Sequence, residues 1–186
     1  MKKQINGILK QGMWCGILLF ALRCLISFGE IKNGITAYEI WSYAGEAIGA
    51  AAILMIAYEK WLWYYNPFAK TPKIRGSYSG TLTSTYDSLT RAASLKIKQS
   101  LLTVDVTLKT EESSSRSVSA SIEEIFGEKE LIYTYLNEPK SQVRDRSEIH
   151  YGTATFFLDE ENHLVGRYYT DRNTSGDMDF KRTSKK

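Results

Sequence analysis

The chain has 186 residues and a formal net charge of +3, from 24 Lys/Arg against 21 Asp/Glu. Residues 1–75 hold both cysteines, all four tryptophans and nine basic against four acidic side chains (+5), whereas residues 76–186 carry 15 against 17 (−2). That division argues against a purely secreted or purely cytosolic protein, a disordered chain and a disulfide-stapled miniprotein, and it assigns the basicity to a membrane face rather than to DNA or RNA binding.

Residues 12–28 are apolar apart from Arg23 and Ser27, and residues 40–58 are apolar or small, broken chiefly by Glu46. Each stretch approaches the roughly 17–25 helical residues that cross about 30 Å of hydrocarbon. Trp14 marks one edge of the first; Tyr38, Trp41 and Tyr43 open the second, and Tyr58, Trp61, Trp63, Tyr64 and Tyr65 close it, as aromatic rings with polar tips do at membrane interfaces. A buried core helix would also be apolar, but two in succession around a short polar turn at 29–37 favour a pair of spans. Arg23 interrupts the first run and no small-residue cleavage site follows, so it reads as a retained anchor rather than a signal peptide. Lys2, Lys3 and Lys10 flank the first span, Lys60, Lys70, Lys73 and Arg75 follow the second, and the connecting turn offers only Lys32. The positive-inside rule then expects a two-span protein of the inner membrane with both termini cytoplasmic. A reducing cytosol suits a tail without cysteine.

Arg23 and Glu46 lie at nearly equal distances from the turn's midpoint, near residue 34–35, and so at nearly the same depth. Two readings stay open: an ion pair, within one chain or exchanged between chains, or an outward-snorkelling Arg23 beside a protonated Glu46. Gly12-x-x-x-Gly16 and Gly45-x-x-x-Gly49 permit close helix approach, so Arg23, Glu46, Gly45 and Gly49 are the candidate assembly residues. Asn66-Pro67-Phe68 and Pro72 end the second helix, giving a hairpin over 1–65, a stiff linker over 66–75 and a separate tail over 76–186.

The tail is long enough to close one core. Eight segments alternate apolar with polar residues in strand fashion: 76–85, 94–99, 102–110, 116–125, 130–137, 149–158, 163–171 and 177–183. Short turn-like separators between them fit an eight-stranded antiparallel up-and-down barrel of lipocalin-like form, with a sandwich as the competing architecture. The serine run 113–115 reads as a flexible hairpin tip.

Period-two reading assigns faces. Tyr78, Gly80, Leu82 and Ser84 share a side; so do Leu95, Ile97 and Gln99, then Val104, Val106 and Leu108, then Val118, Ala120 and Ile122. Leu131, Tyr133, Tyr135 and Asn137 line up in the fifth segment, and Leu164, Gly166, Tyr168, Thr170 and Arg172 in the seventh. In an up-and-down barrel the ends of odd strands gather at one mouth. The connections there carry Arg91, Arg116, Arg144, Arg146 and Arg172, together with several carboxylates; the other end has acidic connections at 123–130 and 159–161. Arginine forks match phosphate oxygens and tyrosine faces stack on nucleobases. The candidate ligand contacts are therefore Tyr78, together with Tyr133, Tyr135 and Tyr168 for stacking, Arg172 with Arg144 or Arg146 for phosphate, and Asn137 and Thr170 for base or ribose edges. The alternative is a filled barrel whose tyrosines only satisfy their hydroxyls.

No catalytic constellation emerges, and an enzyme is not expected. His150 and His163 are not in metal-ligand spacing, and Gly-x-Ser-x-Gly, a Walker loop and Cys-x-x-Cys are absent from the sequence. No cofactor or metal is implied; Asp177-x-Asp179 beside Asp171 reads as a surface turn.

Two N-terminal spans, an aromatic-Pro linker and Gly76-Ser77-Tyr78-Ser79-Gly80-Thr81-Leu82 opening a small barrel resemble the two-transmembrane, β-strand-rich effectors of bacterial CBASS antiphage systems. Leu131-x-Tyr133-x-Tyr135-x-Asn137-x-Pro139, Gly152-Thr153-Ala154 and Leu164-x-Gly166-x-Tyr168-x-Thr170-x-Arg172 agree with that likeness, which covers the whole chain. The resemblance implies a barrel that binds a cyclic dinucleotide, homo-oligomerises and disrupts the inner membrane so that the infected cell dies. A membrane-tethered carrier of a lipid or fatty acid, and a passive anchor for a protein partner, are the alternatives.

Overall fold

The computed structural model describes residues 2–28, 36–145, 147–158 and 163–183. The greater part of the expected polar turn at 29–37, Arg146 and the acidic connection at 159–161 lie outside the described residues. The chain divides into two compact units, Met1–Ala69 with Ser100–Leu102, and Lys70–Gln99 with Thr103–Lys186.

The first unit holds α1 (Lys2–Phe28) and α2 (Ala37–Lys60), followed by a single 3-10 turn at Leu62–Tyr65. Windows of 23 and 24 residues, Ile5–Ser27 and Ala37–Lys60, are long and apolar enough to cross a bilayer; at 1.5 Å per residue each spans about 35 Å. Thr36 starts α2 with a reciprocal cap: its Oγ1 accepts from Glu39 N at 3.3 Å, while Glu39 Oε2 accepts from Thr36 N at 2.7 Å. After α2, Asn66 Nδ2 donates to the Tyr58 hydroxyl at 2.7 Å and Asn66 Oδ1 accepts from Phe68 N at 2.9 Å, a turn around Pro67, which could not continue a helix. The two helices pack through small residues. A methyl group at Gly12 would meet Met55 Cγ at 3.3 Å, and one at Gly16 would meet Ala51 Cβ at 3.8 Å. Leu9, Leu18, Leu22, Leu25, Ile48 and Ile53 are exposed, an apolar exterior suited to lipid.

The second unit is a closed antiparallel barrel in the order β1–β2–β3–β4–β5–β6–β7–β8. Its strands are β1 (Gly76–Ser84), β2 (Thr90–Gln99), β3 (Val104–Thr110), β4 (Ser113–Ile125), β5 (Glu128–Pro139), β6 (His150–Leu158), β7 (His163–Thr170) and β8 (Ser175–Arg182). β1 also pairs with β8, from Tyr78↔Arg182 to Ser84↔Gly176, which closes the sheet and excludes the sandwich. Alternation places Leu95, Ile97, Val106, Leu131, Phe156, Leu164, Met178 and Phe180 inside, each at most 2% exposed.

β4 departs from expectation in two ways. Ser113–Ser115 form no hairpin tip: they pair with Pro139, Glu138 and Asn137 of β5, and Ser115 is buried. A bulge between Ser117 and Ser119 then inserts Val118 as an extra residue, so the inward face passes from Ser115 and Ser117 to Ala120 and Ile122, and Val118 is 66% exposed rather than inward. At the β4–β5 turn Phe126 and Gly127 both take positive φ, 51° and 86°, as a tight two-residue hairpin requires.

Candidate functional site

The barrel interior is not hollow throughout. The half nearer the start of β1 is filled by side chains, with Phe156 edge-on to Phe180 (centroids 5.9 Å apart) and stacked near Tyr133 (6.2 Å). Residues ahead of β1 seal that end: Ile74 N donates to Gln99 Oε1 at 3.0 Å, and Gln99 Nε2 donates to Pro72 O at 2.8 Å. Two of the expected tyrosines lie in this filled half. Tyr78 is 1% exposed at the sealed end, its hydroxyl donating to Ile74 O at 2.8 Å. Tyr133 is packed in the core beneath Tyr135, whose ring lies 5.8 Å away. Neither lines the cavity at the barrel mouth.

Space opens at the mouth formed by the β1–β2, β3–β4, β5–β6 and β7–β8 connections, where a cavity of about 250 Å³ is lined by Tyr135, Asn137, Tyr168, Thr170 and Arg172 of the expected set. Arg144 follows the 3-10 turn Ser141–Val143, is exposed and does not line the cavity. Arg116 points outward from β4. The cavity also brings in Ser84, Tyr86, Asp87, Arg91, Glu112, Ser115 and His150. Of these Ser84 carried a signal in the sequence by sharing a face with Tyr78, and Arg91 as a basic residue at this end; Asp87 lies four residues before Arg91, a spacing that a turn has to fold back.

Glycine spacing positions the two tyrosines. Gly152 pairs with Tyr135 across the β5–β6 ladder, and Gly176 pairs with Tyr168 across β7–β8. A methyl group at Gly152 would stand 2.4 Å from Tyr135 Cζ and Oη, and one at Gly176 would stand 2.5 Å from Tyr168 Cε1. Each ring thus lies over a strand that only glycine leaves bare. Burial pushes both phenols above their ordinary range; at Tyr168 a hydrogen bond with Ser84 partly offsets the rise.

The polar groups are ordered by one another. Ser115 Oγ donates to Asn137 Oδ1 at 2.8 Å, which leaves the Asn137 amide NH2 as the group a guest would meet. Thr170 Oγ1 is occupied in shaping the β7–β8 turn: it shares a hydrogen bond with Thr174 Oγ1 at 2.7 Å and accepts from Arg172 N at 3.2 Å. Arg172 Nη1 donates to Ser147 Oγ at 3.4 Å. Arg91 donates to both oxygens of Asp87, with Nη1–Oδ1 at 3.1 Å, and its Nε lies 3.8 Å from Glu112 Oε2. The guanidinium holds the Asp87 carboxyl at about 2, below its ordinary value of 3.8. Of the acids in Asp177-x-Asp179, Asp177 faces Arg167 at 3.8 Å and Asp179 faces His163 at 2.7 Å.

In the helical unit Arg23 and Glu46 form the ion pair directly, Nε to Oε2 at 3.0 Å, while Arg23 Nη1 donates to buried Ser27 at 2.7 Å and the guanidinium sits 4.5 Å above the Tyr43 ring. Gly45 and Gly49 differ from Gly12 and Gly16, because a methyl group on either would find no atom within 4 Å; that face of α2 is turned away from α1.

Residues 69–182 match the family described as Cap15, cyclic dinucleotide receptor domain. Over 186 aligned residues the chain is 32% identical to a protein of Staphylococcus schleiferi named CD-NTase-associated protein 15, covering 98% of this chain and 99% of that one.

Proposed function

The chain belongs to the Cap15 cyclic dinucleotide receptor family of CBASS effectors, and from that membership and the chemistry of the barrel mouth we propose that it is a membrane-tethered receptor whose ligand drives killing of the infected cell. A cyclic dinucleotide presents two bases and two phosphodiesters in a compact ring. The observation that carries the reading is one cavity in which Tyr135 and Tyr168 stand with Arg91 and Arg172. The rings stack on bases, the guanidiniums meet phosphate, and the Asn137 amide donates to a base or ribose edge.

Both termini then lie in the cytoplasm, with α1 and α2 in the inner membrane. Ligand binding assembles several copies, because only a ligand that favours the assembled state shifts the equilibrium. The Gly45/Gly49 face of α2 meets a neighbouring chain, and Arg23–Glu46 pairs brought together from several copies open a polar defect in the bilayer. A fatty-acid carrier is less well supported, since a long acyl chain needs an apolar tunnel where Phe156, Phe180, Leu131 and Tyr133 fill the space.

Calorimetry on the full chain in lipid nanodiscs, with cyclic dinucleotides, linear dinucleotides and fatty acids as titrants, tests the reading. Heat with a cyclic dinucleotide alone is expected. Fatty-acid binding without it would transfer the chain to the carrier class.

A further inference from the structure

One hydrogen-bonding edge of the Arg91 guanidinium is already in use, and a second carboxylate stands near the other. Asp87 takes the Nη1–Nη2 end with both carboxylate oxygens, and Glu112 Oε2 stands 3.8 Å from Nε on the side. A phosphodiester recognises arginine through the same two-pronged geometry that a carboxylate uses, so ligand and Asp87 compete for one edge. The cavity, about 250 Å³, is also smaller than the roughly 300–1,000 Å³ of sites that enclose a small molecule. Tyr86 and Asp87, from the β1–β2 turn, form part of its wall, so moving that turn both frees the arginine and widens the mouth.

The turn is held by its own backbone, with Ser88 N donating to Ser84 O at 2.9 Å and Tyr86 N to Ser84 Oγ at 3.2 Å, more than by packing of its side chains. Its base is pinned, with Thr85 N donating to Ser175 O at 2.9 Å and Ser175 N donating to Thr85 Oγ1 at 3.1 Å. Beyond that point its large side chains have no core to hold them: Tyr86 is 72% exposed and Leu89 58%. Ser88 has a φ of 56°, in the left-handed region. Apart from Arg91, the Asp87 side chain makes one local hydrogen bond, from Leu89 N to Oδ1 at 3.1 Å. Glu112 contrasts with it, because it sits in a two-residue connection whose carbonyl accepts from Lys140 N at 2.8 Å.

We propose that Asp87 is a resident anion which the ligand's phosphodiester displaces from Arg91, swinging residues 86–89 outward to open the barrel mouth. This rests on the function proposed above. It makes Asp87 a brake on affinity and Arg91 the phosphate contact.

The test is calorimetry on the full chain in nanodiscs, comparing unmodified protein with Asp87→Asn, Glu112→Gln and Arg91→Ala against cyclic diadenylate, cyclic diguanylate and cyclic GMP–AMP. Asp87→Asn is expected to bind the preferred dinucleotide on the order of tenfold more tightly, as removal of one charge-assisted competitor implies. Glu112→Gln should gain less, and Arg91→Ala should lose at least about tenfold. In unmodified protein, amide exchange over residues 86–89 should speed up on saturation. Binding by the unmodified chain with no gain in Asp87→Asn, or slower exchange in the turn, overturns the inference and leaves the receptor reading standing. No heat with any of the three dinucleotides, in any variant, overturns both.

Discussion

Tyr135 lies against the bare backbone of Gly152, so closely that a single methyl group there would stand 2.4 Å from the ring. The contact explains how a strand can hold a large ring flat at the edge of a cavity: the opposing residue has to vanish. Gly152→Ala should therefore push Tyr135 into the cavity, costing about 1–3 kcal/mol of barrel stability as overpacking does. Cyclic dinucleotide affinity should fall at least about tenfold as well. Denaturant melts paired with calorimetry check both, and an unmoved affinity would remove Tyr135 from the site.

Arg23 and Glu46 neutralise each other across the helical hairpin, with Nε–Oε2 at 3.0 Å. In hydrocarbon, losing one partner leaves an uncompensated charge, whereas losing both leaves none. Arg23→Leu and Glu46→Leu should each abolish dye leakage from liposomes containing the assembled protein, while calorimetric affinity at the barrel stays unchanged. The double Leu variant should insert at least as well as the unmodified chain and still fail to leak. Undiminished leakage by both single variants would take these residues out of the assembly step.

Asp87 supplies a prediction in pH. Arg91 lowers its carboxyl from an ordinary 3.8 to about 2, so the folded state favours the ionised form. The resulting stabilisation is fully present above 3.8 and is lost as pH falls through about 2. Between about pH 5 and 8 neither this pair nor a phosphodiester changes charge, so the pair itself gives ligand affinity no pH dependence there. Below about pH 4 the unmodified chain should lose stability along an acid limb that is shallower in Asp87→Asn. The buried phenols of Tyr135 and Tyr168 act at the other extreme: raised in the folded state, they cost stability as pH climbs past 10. Thermal melts across pH read both limbs.

Much of this arrangement was legible before folding, and the limits of that legibility are physical. Period two identifies which face a residue occupies, so Tyr135, Asn137, Tyr168 and Thr170 could be placed inside the barrel and, by strand parity, near one mouth. It does not report depth. Tyr133 sits two residues below Tyr135 on the same face and is sealed in the core, and Tyr78 belongs to the opposite end altogether. The Asp87–Arg91 pair was hidden for a different reason, because it depends on how the β1–β2 turn folds back. Serines hid the start of β4, since a side chain that suits turns also suits a polar barrel mouth.

The β4 bulge makes the sharpest test of that last point, because strict alternation and the structure assign Val118 to opposite faces. Ser117 pairs with Tyr135 and Ser119 with Thr134, so Val118 is the unpaired extra residue and is 66% exposed. Ser117 Oγ meanwhile accepts from Val106 N at 2.9 Å, meeting a donor of β3 where the β3–β4 ladder stops. Val→Thr keeps shape and exchanges one methyl for a hydroxyl, so its cost reads burial directly. Val118→Thr should stay within about 0.5 kcal/mol of the unmodified chain. Val106→Thr, at a position 1% exposed, should lose about 1–3 kcal/mol by burying an unpaired hydroxyl. Equal costs in denaturant unfolding would mean that β4 runs without its bulge, and Ser115 would then no longer reach Asn137 at the barrel mouth.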